Sequence, residues 1–107
     1  MVFQYDELKE YVHEDFERFY NMGFNEKQIF PAVLNEYAHG QDFSLAENIC
    51  IHIFLIFNYR EKGFMTGPII SKTKQLLSEK SYSELLFELG AESKKCIADL
   101  EMILDLS

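Results

Sequence analysis

The sequence predicts an all-α fold: a compact bundle of four to five helices around one central apolar helix. Apolar residues recur at three- and four-residue steps along most of the chain, which is the period of a helix with one buried face. One stretch, residues 49–57, is apolar almost throughout and belongs in the middle of a bundle. The 107 residues suit a single domain that spans residues 1–107.

The first helix is predicted over residues 4–22, because its apolar residues fall on one helical face. Gly23 follows as a helix stop. The residues of the predicted core face are Tyr5, Leu8, Val12, Phe16, Phe19 and Tyr20.

A second helix is predicted from Asn25, whose side chain can cap it, to Gly40. Pro31 lies several residues inside this helix, where its ring opposes the carbonyl four residues earlier. We therefore expect either a kink at Pro31 or a short turn followed by a helix that begins there.

The central third helix is predicted over residues 44–62. Ser44 and Glu47 have the spacing of a capping box, and Gly63 follows the last turn. The apolar run alone could also be a buried strand, but the cap and the total length favour a helix. His52 interrupts the run, and we expect it to be a core histidine that is hydrogen-bonded to a neighbouring helix.

Two further helices are predicted in the remaining third of the chain. Pro68 suits the first turn of helix four, which extends to about Glu79, and Ser81 can cap helix five. Gly90 allows a bend or a break in helix five. Its apolar stripe is Leu85, Leu89, Cys96, Leu100 and Ile103.

Charge and composition exclude several classes of function. The formal net charge of −8 opposes direct binding of nucleic acid and of anionic membranes. The apolar run is about half of the roughly 20 residues that span a bilayer. Cys50 and Cys96 both fall on helical stripes and are expected to be reduced core residues of a cytoplasmic protein.

The chain contains no nucleophile elbow, phosphate-binding loop or dinucleotide fingerprint, so we predict neither an enzyme nor a cofactor. A metal-binding helical bundle is an alternative interpretation. Glu10 with His13, and Glu36 with His39, both have the Glu-x-x-His spacing of di-iron helical bundles. Glu10 and His13 lie off the core stripe and His39 lies at a helix end, so exposed surface pairs are the preferred interpretation.

Two helices carry stripes of acidic residues. Glu7, Glu10, Glu14 and Glu17 share an arc of roughly 80° on helix one, at about 100° per residue. A similar stripe on helix five comprises Glu84, Glu88, Glu92 and Asp99, with Lys95 among them. Like charges at this spacing destabilise a helix by a few tenths of a kcal/mol, which favours a role in binding a basic partner. A solvated helix face is the other interpretation.

The order of these features resembles that of small all-helical immunity proteins from bacterial contact-dependent growth-inhibition and polymorphic-toxin systems (CdiI-type). Pro31 and the loop at residues 40–42 have no counterpart in the family pattern. The similar features are Gly23, Ile29, residues 33–37, Glu47 at the start of an apolar helix, Lys62, the helix at residues 69–77 and the segment at residues 81–88.

The resemblance implies a cytoplasmic antidote, either a monomer or one half of a 1:1 complex, that binds and blocks one cognate toxin domain. Many such toxins are nucleases, some of them RNase A-like, and a basic active-site cleft could be covered by carboxylates. The partner contacts expected on this basis are Glu7, Glu10, Glu14 and Glu17, followed by Glu36, Tyr37, Asp42 and Phe43. A generic acidic adaptor or regulator remains a further alternative.

Overall fold

Five helices make up most of the part of the chain that can be described in a computed structural model, namely residues 4–38, 45–77, 87, 90 and 93–105. No strand occurs in these residues, so the all-α prediction is confirmed. The helices are α1 (Tyr5–Asn21), α2 (Glu26–Ala38), α3 (Leu45–Glu61), α4 (Gly67–Leu76) and α5 (Ser93–Asp105).

Helix α3 is the centre of the bundle. It packs against each of the other four described helices. All eight residues from Ile49 to Ile56 are at most 2% exposed, so this segment is buried on every side rather than on one face. One hydrophobic cluster built around α3 takes in side chains from all five helices, as predicted for a central apolar helix.

Helix α1 buries four of the six residues of the predicted face, while Phe19 is partly buried and Tyr20 is exposed. Tyr5, Leu8, Val12 and Phe16 are all at most 6% exposed. Tyr20 was expected on the same face but is 39% exposed, because it lies about 80° from the middle of the buried stripe at about 100° per residue. Its ring stacks on that of Phe16 and covers the edge of the core rather than entering it.

The start of α2 is a reciprocal cap. The Oδ1 atom of Asn25 accepts hydrogen bonds from the backbone amides of Lys27 and Gln28, at 3.0 and 3.1 Å. The Gln28 side chain accepts in return from the Asn25 amide at 2.9 Å, which completes a capping box. The predicted cap at Asn25 is therefore confirmed, and Gln28 is the partner that the sequence analysis missed.

Helix α2 continues through Pro31. In the turn that precedes Pro31, the side chain of Tyr59 from α3 is inserted between two backbone groups. The Tyr59 hydroxyl accepts from the Phe30 amide at 2.8 Å and donates to the Glu26 carbonyl at 2.5 Å. These two backbone groups are four residues apart and would bond directly in an uninterrupted helix. Insertion at this point is a recognised cause of bending. The alternative of a helix beginning at Pro31 is wrong.

His52, a buried polar residue of α3, bonds within its own helix. His52 is 2% exposed, and its Nδ1 atom donates to the backbone carbonyl of Asn48 at 2.7 Å. The predicted bond to a neighbouring helix is therefore wrong, although Phe30 of α2 packs edge-on against the ring. Burial lowers the pKa of His52 below its usual value, which favours the neutral imidazole.

The two cysteines join α3 to α5 without a covalent bond. Cys50 and Cys96 are both free and buried, as predicted, and their Sγ atoms are 3.9 Å apart. Their contact and burial raise the pKa of the Cys50 thiol, so neither geometry nor charge favours a reactive thiolate.

Gly90 separates α5 from the chain that precedes it. Its φ of +56° lies in the left-handed region, through which an α-helix of L-residues does not continue. The predicted break in helix five is therefore observed, and α5 begins at Ser93. The other predicted features that lie outside the described residues are Gly40, Ser44, Glu79, Ser81, Leu85 and Leu89.

None of the described helices is both long enough and apolar enough to span a lipid bilayer.

Candidate partner-binding surface

The acidic face of α1, defined here by Glu7, Glu10 and Glu14, points directly away from the core. At about 100° per residue, its centre lies about 180° from the centre of the buried stripe of the same helix. All three residues are exposed. These three residues of the predicted acidic stripe therefore face outward from the bundle.

Arg18 and Lys9, the two basic residues of α1, and Lys95 of α5 contact groups outside the acidic face. Arg18 binds Glu36 of α2 at 3.0 Å and Asp15 at 3.4 Å, while Lys95 of α5 binds Asp6 at 2.8 Å. The ammonium of Lys9 lies 6.0 Å from the centre of the Phe57 ring. As a result, no carboxylate of the acidic face forms an ion pair with a described residue.

Glu17, the fourth residue of the predicted stripe, differs from the other three. It is partly buried and lies 3.5 Å from the Nζ atom of Lys62 at the end of α3. Lys62 also lies over the ring of Tyr20, at 4.3 Å from the ring centre. Glu17 is thus tied to the bundle at the margin of the acidic face.

The charge of α1 is concentrated relative to the whole chain. The helix contains six acidic and two basic residues, a net charge of −4, which is half of the chain's formal −8. Because the two bases do not pair with the acidic face, its carboxylates add to one another's field. Such a surface attracts cationic macromolecules over a distance of about a Debye length.

Tyr11 supplies an aromatic side chain on the flank of the acidic face, and the sequence analysis missed it. It is 56% exposed. It lies four residues after Glu7 and three before Glu14, so all three side chains are neighbours on the helix surface. This i, i+4 and i+3 spacing was the signal that could have found it.

The second set of predicted contacts is divided. Glu36 is exposed and bonded to Arg18, whereas Tyr37 is half-buried. Burial raises the pKa of Tyr37 well above its usual value, and the negative charge of Asp15 and a hydrogen bond to that residue raise it further. Tyr37 therefore helps to join α2 to α1. Asp42 and Phe43 lie outside the described residues.

The acidic stripe predicted on helix five is weaker in the part that is described. Asp99 accepts a hydrogen bond of 2.6 Å from the hydroxyl of Tyr5, and burial together with this bond raises the pKa of Tyr5. The exposed side of α5 carries Lys94 and Lys95 beside Glu101. Glu84, Glu88 and Glu92 lie outside the described residues.

Two described residues of the Glu-x-x-His pairs, His13 and Glu36, bond to other side chains. The Nδ1 atom of His13 donates to Oδ1 of Asn58 at 2.6 Å, since an amide oxygen only accepts, while Nδ2 of Asn58 donates to the Phe54 carbonyl. Among the described residues no three His, Cys, Asp or Glu side chains are grouped closely enough to hold a metal ion. His39 lies outside them.

Comparisons of the chain with protein-family models, with curated proteins and with solved structures gave no match.

Proposed function

We propose that this protein is an immunity protein, which binds a cognate bacterial toxin domain in the cytoplasm and neutralises it. The two proteins form a 1:1 complex. The immunity protein performs no reaction and binds neither nucleic acid nor membrane itself; it acts by occupying a surface that the toxin needs.

The proposed toxin is a basic nuclease, of which an RNase A-like ribonuclease is one example. A nuclease binds a phosphate backbone, so cationic side chains line its active-site cleft. The carboxylates of Glu7, Glu10 and Glu14 would take the places of phosphate groups in that cleft and exclude the substrate.

The single observation that supports this proposal is that the acidic face is exposed and makes no ion pair with the described residues. No ion pair with a described residue has to break before these carboxylates meet a partner's lysine or arginine. Complementary charge accelerates encounter, and speed matters for an inhibitor of a toxin that is already inside the cell.

Tyr11 is the proposed aromatic anchor of the complex. Binding energy in protein interfaces concentrates in a few side chains, with tyrosine prominent among them, surrounded by polar contacts that exclude water. The arrangement of Tyr11 between Glu7 and Glu14 matches that pattern.

The proposal is tested by co-expressing this protein with the toxin domain encoded beside its gene. The expected result is rescue of growth together with co-purification of a 1:1 complex. A toxin domain that kills cells equally well in the presence of this protein would rule the immunity function out.

Reversing the charge of the acidic face should slow association with that toxin domain. The double substitution Glu10→Lys/Glu14→Lys is expected to lower the association rate constant about tenfold or more at low salt, and much less at 0.5 M salt, because screening removes the steering field. Stopped-flow fluorescence measures both conditions.

A matched control is available on other helices. Glu61 and Glu101 are exposed acids of α3 and α5, and their double replacement by lysine changes the net charge by the same amount. The control should keep most of the wild-type rate. Equal slowing by both pairs would mean that net charge, and not the acidic face, governs encounter.

Removing the anchor should affect dissociation instead. Tyr11→Ala is expected to increase the dissociation rate constant about tenfold or more, with little change in association. Met102→Ala on α5 is a control of similar exposure, 52% against 56%. A wild-type dissociation rate for Tyr11→Ala would remove Tyr11 from the interface.

A further inference from the structure

A cavity of about 310 Å³ opens between the start of α2 and the α3–α4 connection, and no residue of the acidic face lines it. Its volume is at the lower end of the range for small-molecule sites, roughly 300–1,000 Å³. Its apolar walls are formed by Phe30, Tyr59, Met65, Pro68 and Ile69.

A carboxylate is fixed in the lining of this cavity. One oxygen of Glu26, Oε2, accepts a hydrogen bond of 2.9 Å from the backbone amide of Met65. The other oxygen has no hydrogen-bond partner among the described residues. Because Glu26 is partly buried and held from outside its own helix, it can offer that oxygen to a ligand in a defined position.

Lys27 is the other charged residue of the lining, and it is not held in the same way. Its side chain is exposed and pairs with no described carboxylate. A lysine stem can lie along an apolar wall while the ammonium stays in water, so Lys27 need not point its charge into the cavity.

The aromatic walls favour a cation over an anion. The faces of the Phe30 and Tyr59 rings carry negative electrostatic potential, which attracts ammonium and guanidinium groups. The Tyr59 hydroxyl already donates its proton to the Glu26 carbonyl and is not available to donate to an anion. The chain's formal charge of −8 acts in the same direction.

We infer that this cavity binds a small organic cation, with an apolar body between the walls and an ammonium or amidinium head on Glu26. An apolar body of the size of benzene fits comfortably, since an engineered cavity of roughly 150 Å³ suffices for benzene itself. This site does not depend on the proposed immunity function.

The test uses three molecules of nearly the same shape: benzamidine, which is cationic at pH 7, benzamide, which is neutral, and benzoate, which is anionic. The protein has four methionines, so a methionine-methyl-labelled sample gives a simple NMR spectrum. Benzamidine is expected to shift the Met65 signal saturably and to leave Met102 unchanged. Benzamide should bind about tenfold more weakly, and benzoate more weakly still.

Glu26→Gln removes the charge and retains an oxygen that can accept from the Met65 amide. It should weaken benzamidine binding about tenfold, the factor that corresponds to 1.4 kcal/mol. Glu101→Gln makes the same charge change on α5 and should leave binding unchanged. The inference is overturned by equal binding of the three molecules, by a preference for benzoate, by an unaffected Glu26→Gln variant, or by no saturable shift at Met65.

Discussion

Phe54→Ala should lower the free energy of unfolding by about 3–5 kcal/mol, the range found when a buried phenylalanine is truncated. Phe54 lies on the central helix, is 1% exposed, and its ring meets that of Tyr5 edge-on at 4.9 Å. Removing the ring takes away its transfer free energy and leaves a cavity that α3 cannot close, because α3 is in contact with all four other described helices. Urea denaturation followed by circular dichroism measures the effect.

Phe57→Ala on the same helix is the matched control. Phe57 is only partly buried, and its ring lies beneath the ammonium of Lys9. The same truncation there should cost less than half as much, since water can fill the space. Equal losses for Phe54→Ala and Phe57→Ala would mean that α3 is not the buried centre of the bundle.

Tyr59→Phe should lower the free energy of unfolding by about 1–3 kcal/mol, the cost of leaving buried polar groups without partners. The Tyr59 hydroxyl accepts from the Phe30 amide and donates to the Glu26 carbonyl, and the substitution removes only this hydroxyl. Tyr20→Phe is the control, because Tyr20 is 39% exposed and its hydroxyl bonds to no described residue. Unchanged stability of Tyr59→Phe would mean that the two backbone groups bond each other directly once the hydroxyl is gone.

The pH dependence gives a second measure of the Tyr59 bond. Burial raises the pKa of Tyr59 to about 12, from an ordinary value of 10.0. Between these values the folded protein keeps a proton that the unfolded chain loses, so stability is full below pH 10 and falls as the pH rises towards 12. Tyr59→Phe should lose stability less steeply in this window than the wild type. Tyr5 and Tyr37, whose pKa values are also raised, contribute the remainder in both proteins.

Local sequence patterns predicted the features that are set locally. The three- and four-residue spacing found the buried face of α1, and the unbroken apolar run placed α3 at the centre. Asn25 and Gly90 are local signals too, since a cap and a left-handed residue each act on the adjacent turn. These predictions are confirmed by the structure.

Features that depend on distant contacts were predicted less well. Tyr59 lies 29 residues from Phe30, and no local pattern indicates that its hydroxyl would enter the backbone of another helix. The prediction that His52 bonds to a neighbouring helix was wrong because the Asn48 carbonyl of its own helix was close enough to accept. The prediction that Tyr20 is buried was wrong because a residue at the edge of a stripe can be covered or exposed according to its neighbours.

The acidic face combines both kinds of information. Its direction follows from helical periodicity alone, so Glu7, Glu10 and Glu14 could be grouped from the sequence. That they form no ion pair with the described residues depends on where Arg18 and Lys95 find partners, namely on α2 and at Asp6. These ion pairs depend on how α1, α2 and α5 pack together, so the sequence of α1 alone could not predict them.

The contacts of α5 with the beginning of α1 have a consequence for biosynthesis. The Tyr5–Asp99 and Lys95–Asp6 bonds join residues 94 and 89 positions apart. Helix α5 is synthesised after the other four described helices, so these two bonds to the first turn of α1 form only after residue 99 has been made. A nascent chain that stalls before residue 95 would therefore hold the first turn of α1, with Glu7, by its packing on α3 alone.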